Sequence, residues 1–142
     1  MEMLDRLQDK NDKKAYAFSK EIIAKSTASD AYYPYFDDFV SLLTAPSSYV
    51  RTRGFILCCA QARWDTEGKI QNALPAMMTL LYDKKPTVVR QCLSALREVL
   101  LFRPELSEKI CEAVQKIDLS RYKDSMAPLI KKDADALLKL FD

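Results

Sequence analysis

The sequence predicts an all-α domain, and three observations carry that expectation. Glycine occurs twice in 142 residues, against roughly 7% in average proteins. The chain therefore makes little use of positive-φ turns, Gly-rich phosphate loops or β-hairpins. Apolar residues recur at three- and four-residue spacing almost throughout, the period of a helix buried on one face. A helical unit also repeats. Laying 39–51 over 78–90 sets Phe39 on Met78, Leu42 on Leu81, Leu43 on Tyr82 and Val50-Arg51 on Val89-Arg90, an offset of 39 residues at every pair. A helix pair of that length cannot bury both its faces alone and needs neighbours stacked on it.

The elements follow in chain order. Asn11-Asp12 predicts a cap for a helix burying Ala15, Phe18, Ile22 and Ile23, with its lysines outward,. After the polar break at 26–30, a second helix spans about 33–44, with Pro34 tolerated in its first turn and Phe36, Phe39, Val40 and Leu43 on one side,. A third helix spans about 49–64. Its middle, 54–60, is seven nonpolar residues in a row, so this helix is expected at the centre, packed on several sides. Asp65-Thr66 caps a fourth burying Ile70, Ala73, Leu74, Met77, Met78 and Leu81. Pro86-Thr87 opens a fifth with Val89, Cys92, Leu93, Leu96, Val99 and Leu100 inward, and Pro104 a sixth with Leu106, Ile110, Ala113, Val114 and Ile117. A last helical region carries Met126, Leu129, Ile130, Leu137, Leu138 and Phe141. Asp133 falls on that last stripe and predicts either a bend or a wetted face. Seven helices joined by short links are expected.

The stretch from Leu74-Pro75 through Leu80-Leu81-Tyr82-Asp83, then Pro86-Thr87-Val88-Val89-Arg90, Ala95-Leu96 and Val99-Leu100, resembles a HEAT repeat. That pattern has an apolar first helix, an Asp in the turn, Val-Arg opening the second helix, then a small-Leu step. The likeness is good over 70–101 and weaker over 33–64, where residues 44–48 replace the turn Asp. Over 105–141 two helices remain without the Val-Arg step. The resemblance implies a right-handed α-α superhelix, a HEAT-like solenoid of about three hairpins plus an N-terminal capping helix. First helices would lie on the convex side and second helices on the concave side. The single domain 1–142 would divide into a cap (1–28), two repeats (30–65 and 66–103) and a divergent C-terminal repeat (104–142). Arg90 with Asp83 or with turn carbonyls would form the ladder between repeats.

Composition narrows the function. With 49% hydrophobic residues and 22 Lys+Arg against 20 Asp+Glu, the chain can bury a core and is not a disordered segment. No run of about 18 apolar residues is present, and no signal-peptide pattern opens the chain. Histidine is absent, which removes the commonest general base and metal ligand. Cys58, Cys59, Cys92 and Cys111 lack zinc-ligand spacing,. They read as buried free thiols in a reducing, cytoplasmic setting. No cofactor, metal site or catalytic constellation is nominated. The best enzymatic comparison, HEAT-like DNA glycosylases with an Asp and aromatics in a basic groove, finds no corresponding motif here.

The charge is uneven. Residues 46–104 hold nine basic side chains against four acidic, whereas 1–45 and 105–142 are slightly acidic. Arg90 and Arg97 lie two turns apart on one helix face, with Gln91 and Ser94 near them. Arg51 is the repeat equivalent of Arg90. These five residues are the candidate partner-binding set, suited to carboxylates or phosphates, and a solvated charged face is the competing reading. Tyr32-Tyr33-Pro34-Tyr35-Phe36 is read as core, capping or an exposed anchor, and Trp64 as closing the central helix or stacking on a base. The expected function is a protein- or peptide-binding scaffold without membrane contact. The alternative is nucleic-acid binding through the central basic stripe, against which the pI of about 8.3 counts,.

Overall fold

Helices form where the periodicity places them, and local chemistry sets their ends. A computed structural model describes residues 2–141; it holds eight α-helices linked by short 3₁₀ turns, with no strand among the described residues. α1 (Glu2–Leu7) precedes α2 (Asp12–Ser26). Asn11 caps α2, its side-chain oxygen accepting from the Lys13 and Lys14 amides at 3.1 and 3.3 Å,. A 3₁₀ turn at Tyr33–Tyr35 leads into α3 (Phe36–Ser41) and a second at Leu42–Thr44 closes it; α4 (Ser48–Ala60) follows. Then come α5 (Lys69–Met78), α6 (Pro86–Phe102), α7 (Ser107–Gln115) and α8 (Ala127–Leu138). Asp65 reaches the start of α5 and accepts from the Lys69 and Ile70 amides at 2.8 and 3.0 Å. Gly68, at φ 72°, makes the left-handed turn that brings those amides round.

The helices stack in sequence order. α2 packs on α4, α4 on α6, and α6 on α8, so these four helices form one layer. α3 lies against both α4 and α5, and α7 against α8. The core runs through this stack, with Phe36, Phe39, Phe55, Ile70, Met77, Leu81, Leu93 and Leu96 among its fully enclosed side chains. α4 is central, as the apolar run at 54–60 predicts: Gly54, Phe55, Leu57, Cys58 and Cys59 are all buried. Gly54 is where α4 comes closest to the preceding hairpin. A Cβ there would stand 2.7 Å from the Leu42 Cβ and 2.9 Å from the Phe39 carbonyl oxygen.

Two expectations are corrected. The N-terminal segment holds two helices, α1 as well as α2, because Arg53 on α4 donates to the Leu7 carbonyl at 2.7 Å and to the Asp12 carboxylate at 2.5 Å. Leu7 is thereby fully buried. Leu129 is exposed rather than core. Of the two outcomes expected at Asp133 the wetted face is the one found: α8 runs unbroken through it, and its carboxylate lines an open cleft where Arg90 on α6 meets it. The expected C-terminal core position Phe141 lies outside the residues whose side chains are described.

Candidate interaction surface

α6 keeps one stripe out of the core. On α6 the inward residues are Val88, Val89, Cys92, Leu93, Leu96 and Val99. Thr87, Gln91, Ser94, Arg97 and Leu101 follow one another at three- and four-residue steps on the exposed side,. Between this stripe and α8 lies a cleft of about 540 Å³, lined by Arg90, Gln91, Ser94, Arg97 and Asp133 among others. Four of the five nominated residues therefore share one site. Arg90 Nε donates to Asp133 Oδ2 at 2.6 Å. That hydrogen bond to a carboxylate holds the Arg90 guanidinium above even its usual high pKa,. Arg97 is exposed and has no hydrogen-bond or ion-pair partner among the described residues.

A second cleft, of about 360 Å³, opens between α2, α4 and α6 and shares Thr87 and Gln91 with the first. Its walls are more apolar: Tyr16 and Ile23 from α2, Tyr49 and Ile56 from α4. Tyr16 and Tyr49 are 56% and 67% exposed and line the same cleft. Leu101, at 71% exposure, stands one turn beyond Arg97 on the same stripe. Three of the large exposed apolar groups among the described residues, Tyr16, Tyr49 and Leu101, thus belong to the exposed sides of α2, α4 and α6.

Arg51, the fifth nominated residue, is elsewhere. Its Nη2 lies 3.0 Å from Asp83 Oδ2, and its Nη1 donates to the Ala45 and Pro46 carbonyls at 3.1 and 2.9 Å. The expected Asp83–Arg90 pair is therefore not formed. α4, α6 and α8 lie side by side, so an arginine in the first turns of one reaches the next: Arg51 to Asp83 in the turn before α6, and Arg90 to Asp133 on α8. Asp133 was visible in the sequence only as an acidic residue out of place on an apolar stripe.

A similar set of contacts joins the other ends of these helices. Arg63 Nη1 donates to the Thr27 carbonyl at 2.8 Å, and its guanidinium stacks 4.5 Å from the Phe102 ring centroid. Arg103 Nε donates to the Ala62 carbonyl at 2.8 Å. Trp64 Nε1 donates to the Ser26 carbonyl at 2.7 Å, so this indole closes the end of the helix pair. In the aromatic cluster Tyr33 and Phe36 are buried and Tyr35 is exposed. Tyr33 donates its hydroxyl to Asp65 Oδ1 at 2.6 Å; burial, reinforced by that bond, pushes its pKa up. Most of the basic excess of 46–104 is thus engaged in joints between helices, and Lys84 and Arg97 remain without a partner among the described residues. Burial also raises the thiol pKa of Cys58, Cys59 and Cys92, leaving them inert protonated core groups. No helix is long and apolar enough to cross a membrane among the described residues. Compared with protein-family models, curated proteins and solved structures, the chain matches none.

Proposed function

We propose that the chain is a non-catalytic interaction module, a short HEAT-like superhelix that binds a protein or peptide along the outer side of its second helices. One observation carries this reading: Arg90, Gln91, Ser94 and Arg97 line a cleft that continues into a second one walled by exposed tyrosines. Exposed aromatics beside arginine are the usual composition of protein-binding hot spots. Stacked helix pairs present such a surface as a continuous strip. The nucleic-acid reading is the weaker of the two, since the arginines that suggested a basic stripe are mostly held by aspartates and backbone carbonyls.

Site-specific photo-crosslinking tests the reading. A benzophenone side chain placed at Ser94 is expected to yield discrete protein adducts in a lysate of the native cells. The same group at Gln71, exposed on α5, is expected to yield none. Equal labelling from both positions would overturn the assignment of this face. Nuclease-sensitive adducts would favour nucleic acid instead.

A further inference from the structure

We infer that the face formed by α2, α4, α6 and α8 recognises an acidic peptide segment. In it one side-chain carboxylate, seated at Arg97, lies about five or six residues from an aliphatic or aromatic residue seated between Tyr16 and Tyr49. This rests on the reading of the face as a protein-binding surface and names the chemistry of its partner.

Charge selects the anion. The α6–α8 cleft holds two guanidiniums, Arg90 and Arg97, and one carboxylate, Asp133. Arg90 spends its Nε on Asp133, so the pair is nearly neutral, and Arg97 supplies one uncompensated positive charge with its planar donor fork free. A single carboxylate balances that charge. A phosphoryl group, at about −1.5 to −2, would leave an excess negative charge facing Asp133. The neighbouring Ser94, Gln91 and Thr87 side chains are neutral and able to hydrogen-bond a peptide backbone.

The spacing follows from the helix layer. Adjacent packed helices lie about 8–10 Å apart, and an extended chain advances about 3.3 Å per residue. A residue seated between Tyr16 on α2 and Tyr49 on α4 stands two helix spacings from the α6–α8 cleft, so the passage to Arg97 spends about five or six residues. In the tyrosine-walled cleft Asp12 is already held by Arg53, while Lys20 stands exposed beside Tyr16, its Nζ 5.6 Å from the ring centroid. That end is also mildly cationic, which disfavours a basic peptide and extends the complementarity to acidic flanks.

The test is selection from a random linear-peptide display library on the full chain at low salt, in parallel with Arg97→Glu. Arg97 makes no contact that folding depends on, so the variant should match the wild type in circular dichroism and thermal midpoint. The expected consensus pairs Asp or Glu with an apolar residue about five or six positions away. A synthetic peptide of that consensus should bind Arg97→Glu about tenfold more weakly or worse. Changing its acid to Lys should restore binding to Arg97→Glu, and Tyr49→Ser should weaken the original pair. A consensus without an acid, or equal affinity for both proteins, overturns the inference while leaving the protein-binding reading intact. No enrichment at all, with crosslinks still formed from Ser94, overturns the inference alone; loss of both overturns the reading as well. Tighter binding of a phosphoserine version would overturn the single-carboxylate assignment. Self-association that Arg97→Glu abolishes would make the occupant a second copy of the chain and overturn the peptide.

Discussion

Arg51 and Asp83 are joined across two helical units, with Arg51 Nη2 and Nε at 3.0 and 3.1 Å from one carboxylate oxygen of Asp83. Both side chains are largely enclosed, at 16% and 10% exposure. Arg90 and Asp133 make the corresponding contact one unit later in a wetter setting, at 38% and 26%. Solvent screening separates the two joints energetically. Asp83→Ala should cost about 1–3 kcal/mol, because it leaves a partly buried guanidinium short of its carboxylate. Asp133→Ala should cost clearly less and should act chiefly on the docking of α8. Urea unfolding midpoints of the two variants, with protease sensitivity of the 127–138 segment as a local readout, check the ordering. Equal losses would mean that exposure does not grade these joints.

The two glycines should respond to alanine for opposite reasons. Gly54→Ala places a Cβ against the Leu42 Cβ and the Phe39 carbonyl, neither of which can swing away. The cost should be about 1–3 kcal/mol of overpacking. Gly68 has open space around it but φ 72°, so alanine there pays only backbone strain of about 1–2 kcal/mol. Gly68→Asn should recover much of that loss, since Asn tolerates the left-handed region. Gly54→Asn should be worse than Gly54→Ala. Thermal midpoints of the four variants separate crowding from conformation.

Which parts of this were legible beforehand depends on whether the signal is local. Asn11 and Asp65 could be read as caps because a cap is a matter of neighbouring residues. The central position of α4 followed from Phe55, Ile56, Leu57, Cys58 and Cys59 in succession, which no single buried face accommodates. The repeat offset placed Arg51 and Arg90 at equivalent positions, but equivalence does not reveal which aspartate lies across the joint. Asp83 belongs to the turn before Arg90, and its partner comes from the unit before. The joints made by Arg63 and Arg103 leave little trace in the sequence, because both donate to backbone carbonyls, of Thr27 and Ala62, and the side-chain acceptor of Arg63, Glu98, lies 35 positions away on α6. The candidate cleft was partly visible, since Arg90, Gln91, Ser94 and Arg97 follow from helical spacing alone. Tyr16 and Tyr49 join it only through the packing of α2 and α4 against α6.

Asp65 holds two unlike tasks, and its removal should show both. One carboxylate accepts the Lys69 and Ile70 amides and the Tyr33 hydroxyl. Tyr33→Phe removes one donor and leaves the cap in place, so a loss of about 0.5–1.5 kcal/mol is expected. Asp65→Ala strips the cap and strands the buried hydroxyl together, and should cost more than twice as much. In a double-mutant cycle the cost of Asp65→Ala should shrink in the Tyr33→Phe background, since the stranded hydroxyl is then absent. Strict additivity would mean that the hydroxyl finds another partner once the carboxylate is gone.

Alkaline pH should unfold the protein through its core thiols. Burial raises the pKa of Cys58, Cys59 and Cys92, so the folded state keeps these protons where the unfolded chain loses them. The stability they contribute is therefore fully present below the ordinary thiol value of about 8.5. It is lost as pH rises above that value, by up to about 1.4 kcal/mol per pH unit for each thiol. Tyr33, also shifted upward, adds to the slope above its ordinary value of about 10. Urea midpoints measured from neutral pH upward should be level until about pH 8.5 and then fall. Cys92→Ala should lower the starting stability, because it leaves a small void, yet flatten the alkaline slope. Cys111, only partly buried, should be the thiol that a disulfide reagent modifies in the folded protein, with the other three reacting only at the rate of unfolding. Rapid labelling of Cys58 or Cys92 under native conditions would mean that the joints on either side of α4 open far more readily than their enclosed packing implies.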